Sequence, residues 1–346
     1  MPPIAHLLAL FALSALVSAC SINGTYIDST RPDAAKLRYI SGNGSATLDL
    51  FDSARCEART TGMLNNLFVP DSRRRADMSV PPPANSNSYY EIRLEPGQPV
   101  HVRANTQGAT TVCSASFTLT PQAGSEYELR FDQSPGYCQA ALVRLQRVEG
   151  KDQRQPYPMI DTIPSACRGT SALFPKQPTP LPDTPRRTAL IDSIIHDSVT
   201  PEMEQLTTLR TAVAITRQTS PEAQVAARKR ELGLDLPEAY WQQYQQNLQR
   251  LAEALANLKA RTLERYDADS RAYLRSVRDE QLQVWAGGNN DVGLRSKAQR
   301  MRDMAYYYNY VLQETVAQIS LEHLRSMAEL DQREGVCKRF AGCWRL

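Results

Sequence analysis

Histidine is scarce in this chain, with four among 346 residues, one of them His6 near the start. That weakens the case for hydrolysis in which an imidazole moves the proton. Familiar catalytic spacings are missing too: there is no H-E-x-x-H, no G-x-S-x-G, no P-loop and no S-x-x-K placed as in penicillin-binding enzymes. Gly42-Asn43-Gly44 does not open a dinucleotide fingerprint, because no helical pattern follows it. Neither sign of charge dominates: 40 Lys and Arg stand against 37 Asp and Glu. A strongly basic nucleic-acid binder is therefore excluded, and the arginines set beside acids along helical stretches read as solvated faces. Past residue 20 no apolar run is long enough to cross a bilayer. The seven cysteines lack the paired C-x-x-C spacing of a zinc site, and no metal or other cofactor is expected.

What is present begins at the N-terminus. Residues 4–17 are apolar, too short for a spanning helix and the right length for a signal-peptide core. The segment ends Val17-Ser18-Ala19-Cys20, which resembles the lipobox of bacterial lipoproteins. The resemblance implies removal of residues 1–19, lipid on Cys20, and a membrane-bound chain with no spanning segment. Met1-Pro2-Pro3 departs from the pattern in carrying no Lys or Arg. Ser21 follows the cysteine where Asp would favour the inner membrane, so the resemblance implies the outer membrane, facing the periplasm.

Six further cysteines suit an oxidising compartment and three disulfides. Cys113 and Cys138 lie in neighbouring strand-like segments, and Cys337 and Cys343 enclose a short loop. Cys56 and Cys167 remain, although six cysteines allow fifteen connectivities.

The periodicity divides the chain into two domains of an α+β protein. Residues 20–35 read as a lipidated, flexible tether. Residues 36–150 have the period-two alternation of about seven strands, at 36–40, 46–51, 90–94, 100–105, 112–119, 127–131 and 140–148, which predicts an antiparallel β-sandwich. The stretches LEPGQPVHV and LTPQAGSEYELRF look like the small β-rich domains of envelope lipoproteins, in a pattern shared by any β-meander. Between Cys56 and Tyr89 an insertion carries Arg73-Arg74-Arg75 and Pro81-Pro82-Pro83. It reads as a solvated loop, or as a basic loop touching anionic headgroups. Residues 151–185 are proline-rich and read as a linker.

Residues 186–346 read as a helical bundle. Thr200-Pro201-Glu202, Ser220-Pro221-Glu222 and Leu236-Pro237-Glu238 each open a helix, with proline where no amide partner is lost and an acid at the positive end of the dipole. One long helix is expected from 238 to 286, with Trp241, Tyr244, Leu248, Leu251, Leu255 and Leu258 in coiled-coil spacing. Gly287-Gly288-Asn289-Asn290-Asp291 breaks it. A second helix then carries Leu294, Met301, Tyr308, Leu312, Ile319, His323, Met327 and Leu330 along one face. Together 238–331 form an αα-hairpin with a coiled-coil-like seam. Such a seam also serves two copies side by side, so a homodimer stays open.

Two polar or aromatic groups stand out. Asp192 and His196 share a helix face beside Asp197, where an acid orients an imidazole or an ordinary ion pair forms. Tyr306, Tyr307, Tyr308 and Tyr310 cannot all face one core. Tyr308 fits the seam, which leaves Tyr306, Tyr307 and Tyr310 as a candidate surface for a protein or a sugar ring. These features favour a non-enzymatic, membrane-tethered interaction or scaffold protein with an envelope protein or glycan as partner. The alternatives are an envelope enzyme or regulator acting on peptidoglycan or another glycan, and a periplasmic immunity or inhibitor lipoprotein.

Overall fold

The computed structural model describes residues 25–345 apart from 87, 108–111, 135–136, 149, 217–219 and 288–289, so the signal segment and Cys20 lie outside the described residues. The chain divides into two compact units, Met1–Pro175 and Lys176–Leu346. No helix among the described residues is long and apolar enough to cross a membrane. Three disulfides pair Cys56 with Cys167, Cys113 with Cys138 and Cys337 with Cys343.

Among the described residues the first unit holds nine strands: β1 Ala35–Ile40, β2 Ala46–Asp52, β3 Ala58–Leu64, β4 Tyr89–Leu94, β5 Val100–Gln107, β6 Val112–Leu119, β7 Glu126–Ser134, β8 Tyr137–Val148 and β9 Lys151–Pro156. One sheet runs β4-β1-β7-β8-β9 and the other β3-β2-β5-β6. The alternation puts Leu37, Tyr39, Ile92, Tyr127 and Leu129 of the first sheet into one core with Leu48, Leu50, Val102 and Phe117 of the second. The sheets are not purely antiparallel, because β1 and β7 pair in parallel.

Two strands escape the periodicity argument. β3, Ala58-Arg59-Thr60-Thr61-Gly62-Met63-Leu64, has too few apolar residues to announce itself. β9, Lys151-Asp152-Gln153-Arg154-Gln155-Pro156, is an exposed polar edge strand, and its proline falls at the last residue, where no ladder bond is lost. The proline-rich stretch after it is held on the first unit as far as Phe174. Tyr157 and Met159 pack on the core, Ile160 bridges to Thr118, Cys167 is tied to Cys56, and Phe174 is buried against Phe51. Residues 26–29, inside the stretch expected to be a tether, are hydrogen-bonded to the first unit. Tyr26 N–H donates to Thr60 O and its hydroxyl to Arg93 O, while Ser29 N–H donates to Arg93 O. The segment thus closes the seam between edge strands β3 and β4.

The insertion between β3 and β4 is a strap rather than a solvated loop. Across the outer face of the first sheet, Arg38 on β1 lies between Glu91 on β4 and Glu128 on β7, and only 1% of it is exposed. Its guanidinium meets Glu91 at 2.8 Å, Glu128 at 3.0 Å and the carbonyl of Val80 at 2.7 Å. Ala76 N–H donates to Glu91, and Ser79 N–H to Glu126. The strap's own basic run is largely consumed. Arg74 is half-buried against Asp28, Tyr26 and the carbonyl of Thr61, and Arg75 lies over the Tyr89 ring at 4.0 Å. One glycine permits this. A Cβ on Gly62 (φ 153°) would stand 2.2 Å from the Ser72 hydroxyl, which accepts from Met63 N–H.

In the second unit the helices are α1 Pro185–Ser198, α2 Pro201–Thr216, α3 Pro221–Leu232, α4 Glu238–Ala256, α5 Leu258–Leu274, α6 Asp279–Gly287, α7 Asp291–Arg333 and the short α8 Val336–Arg339. Ser220 caps α3 through Ala223 N–H, Gly233 ends it in the left-handed conformation, and Asn290 caps α7 through Gly293 N–H. The single long helix expected over 238–286 is three helices. Asn257 interrupts it where its side-chain amide competes for the carbonyl of Glu253. A sharper break follows Leu274. There Arg187 of α1, 1% exposed, donates to the carbonyls of Leu274, Arg275 and Val277 and pairs with Asp279 at the start of α6. The 43-residue α7 packs in turn against α4, α5 and α6. Trp241, Tyr244, Leu248, Leu255, Tyr308, Leu312, Ile319 and Met327 are buried as the spacing requires, but Leu294 is 55% exposed. At the other end Asp331, fully buried, accepts from Tyr240, Arg228 and Trp344 N–H and ties α3, α4 and the Cys337–Cys343 loop to α7.

Arg38→Met is expected to destabilise the first unit by about 3–5 kcal/mol, because buried Glu91 then loses its cation and Glu128 keeps only the longer contacts of Arg130 and Arg154. Urea unfolding followed by circular dichroism checks this; a loss under about 1 kcal/mol would show the triad to be unimportant. A second expectation concerns His101, which is 2% exposed between the rings of Phe51 and Phe174. Burial holds its imidazole below the ordinary value, against a weaker opposing pull from Asp161. The fold therefore favours the neutral ring. Its contribution is complete above the unfolded value of about 6.5 and is lost as pH falls from there through the lower folded value. Thermal midpoints between pH 7.5 and 5 should fall, and His101→Phe should flatten part of that fall.

Candidate binding face of the helical unit

The four tyrosines of α7 divide by face. Tyr308 is fully buried, its hydroxyl 2.6 Å from that of Thr207 and its ring edge-on to Tyr266. Tyr307 is half-buried and donates to Asp269 on α5 at 2.9 Å. Burial and then that carboxylate push its phenol above the ordinary value, so it stays protonated and acts as a donor, not a base. Tyr310 stacks on Tyr307 with ring centroids 5.9 Å apart and is 39% exposed, whereas Tyr306 is 75% exposed. Tyr306 and Tyr310 are one turn apart and share the outer face. The structure thus brings Tyr307 and Tyr310 together and leaves Tyr306 standing clear.

Beside this pair lies a cavity of about 360 Å³ between α5 and α7. Tyr307, Tyr273 and Met304 supply its apolar walls, and Asp269, Asp303 and Arg300 its charge. The Arg300 guanidinium lies 4.6 Å from the Tyr273 ring centroid and 4.9 Å from that of Trp285. Its Nε is buried and has no hydrogen-bond partner among the described residues. Tyr273 is 46% exposed at the rim. Flat aromatic walls with convergent carboxylates and a guanidinium suit a polyol or sugar ring, or a polar side chain of a protein partner. Helical periodicity does not disclose this arrangement, because a straight first helix would carry Trp285 beyond reach of Tyr273. Only the break after Leu274 folds α6 back to set both rings on Arg300.

The other polar cluster comes apart. Asp192 receives Arg271 at 2.6 Å and Asp197 receives Lys297 at 2.8 Å, and His196 is exposed. Their sequence spacing is right for one helix face, but cations from α5 and α7 reach the acids. The cluster fastens α1 to its neighbours. Among the described residues no group of three or more His, Cys, Asp or Glu is placed to hold a metal ion. His323 is half-buried, edge-on to Trp344, and burial lowers its imidazole below the ordinary value.

The two kinds of tyrosine should separate in denaturation experiments. Tyr307→Phe removes a donor from Asp269 and should cost about 1 kcal/mol. Tyr306→Ala should stay within about 0.5 kcal/mol of the parent, because its ring stands in solvent. A destabilisation by Tyr306→Ala equal to that of Tyr307→Phe would mean that both are packing residues. Comparison of the chain with known protein families and with curated proteins finds no match in either.

Proposed function

We propose that this protein is a non-enzymatic envelope lipoprotein, anchored through Cys20 in the outer membrane and holding a periplasmic partner on the helical hairpin of its second unit. The observation that carries the reading is the outer face of α7. Tyr306 and Tyr310 are exposed one turn apart on a rigid helix, next to a cavity walled by Tyr273 and Tyr307. Tyrosine supplies rigid contact area at low entropic cost, and it concentrates at the centres of interfaces. Three disulfides accord with an exported fold. The lipobox-like Val17-Ser18-Ala19-Cys20 supplies the anchor.

A glycan partner is favoured by one further observation. Arg300 lies between Tyr273 and Trp285 with Asp269 and Asp303 beside it, which combines stacking surface with donors and acceptors for hydroxyl groups. Photo-cross-linking from position 306 in native envelopes tests the proposal and separates the partner classes. The expected result is one dominant adduct that Tyr310→Ala weakens at least tenfold. A mass corresponding to a polypeptide or to a glycan fragment then identifies the class. No adduct from position 306, with correctly folded protein in the same membranes, would remove the hairpin face as the working surface.

A further inference from the structure

The loop that joins β3 to the strap carries the most exposed large apolar side chains among the described residues. Leu67 is 94% exposed and Phe68 is 92% exposed, side by side. Ordinary folds scatter such residues singly, and an adjacent pair standing fully in water marks a contact surface. The loop holding them is fixed at both shoulders. Asn65 donates its side-chain amide to the carbonyls of Ser41 and Asn43, and Asn66 bonds Ser45 while accepting from Phe68 N–H. Ser72 N–H to Met63 O closes the base. Neither apolar side chain belongs to a core cluster, so the loop spends its hydrogen bonds on displaying them.

Where the pair sits decides its occupant. Near the start of the described residues, Tyr26 N–H is bonded to Thr60 on β3. Thr60 precedes Leu67 by seven residues, so this bond and the loop lie within about 23 Å along that strand. Cys20 precedes Tyr26 by six residues, a reach of about 20 Å at full extension. A lipid on Cys20 therefore tethers this loop to the bilayer within the sum of those two reaches. Ile27, 77% exposed, follows Tyr26. Arg73, one residue past the base, is exposed and has no carboxylate partner among the described residues, which suits an anionic headgroup.

We infer that Leu67 and Phe68 form a wedge that enters the headgroup–acyl boundary of the membrane to which the protein is tethered, giving a second contact that fixes the orientation of the first unit. Apolar side chains inserted at that depth, with a nearby cation, bind lipid reversibly and weakly, and a covalent lipid supplies the retention. The inference rests on the lipid anchor at Cys20.

The test uses the chain from Ser21, which keeps every residue of the described fold and has no lipid. Vesicles of phosphatidylethanolamine with phosphatidylglycerol are the probe. Phe68→Trp should show blue-shifted emission on vesicle addition, relative to the parent background, and quenching by brominated acyl chains. Leu67→Ser with Phe68→Ser should weaken vesicle partitioning at least tenfold at an unchanged thermal midpoint. An indole at position 68 that stays in water overturns the wedge, as does one that shifts only with envelope protein and not with lipid. The mass of the Cys20 peptide from cells tests the anchor separately. Insertion of the indole with unmodified Cys20 would sink the anchor and keep the wedge; lipidated Cys20 with no insertion would do the reverse.

Discussion

The helical unit depends on one buried guanidinium. A helix that ends inside a protein leaves its last carbonyls without amide partners, and burying them unpaired is costly. At the end of α5 the amides of Val277 and Leu181 meet part of that need, and Arg187 the rest, reaching from α1 to the carbonyls of Leu274, Arg275 and Val277 and to Asp279 in the first turn of α6. Its positive charge also lies at the negative end of the α5 dipole, while Asp279 sits at the positive end of α6. One side chain thus stabilises a break, a reversal and a new start. Without that break Trp285 does not meet Arg300.

The first unit uses a similar device to a different end. Arg38 fixes no chain reversal; it joins three adjacent strands across the outer face of a sheet and draws a strap over them. Buried charges stabilise weakly compared with apolar packing, and their value lies in excluding alternatives. A strand register slipped by one residue would bring Leu37 or Tyr39 to face the strap, leaving Glu91 without its cation and Glu128 without the nearest of its three. The two units therefore share a principle, which is that arginine placed under irregular chain makes that chain regular in position.

How much of this is legible in the sequence follows from which forces leave a trace there. Strands with an apolar inward face announce themselves, as do helix starts at Thr200, Ser220 and Pro237 and the stop at Gly233, because periodicity and caps are local. β3 and β9 do not, since Thr61 and Gly62 or Lys151 and Arg154 are held by neighbours and not by their own pattern. His101 stands at a polar position of an alternating strand and looks solvent-facing, but a segment some seventy residues later covers it. The tyrosine cluster is visible as composition, and the division between Tyr308 inside and Tyr306 outside needs only the helical period. The contact of Trp285 with Arg300 is not visible, because it requires a bend whose cause, Arg187, lies about ninety residues before its effect. Asp192 with His196 shows the opposite failure: the spacing is right, and partners from other helices take the acids.

The Cys56–Cys167 bond encloses seven of the nine strands within one covalent circuit. A single peptide-bond cut at any exposed turn inside that circuit opens the ring but releases nothing, because both new ends remain attached through the sulfurs. The first unit can thus be nicked and still hold together as one body, with the strands before Cys56 still joined to the helices after Cys167.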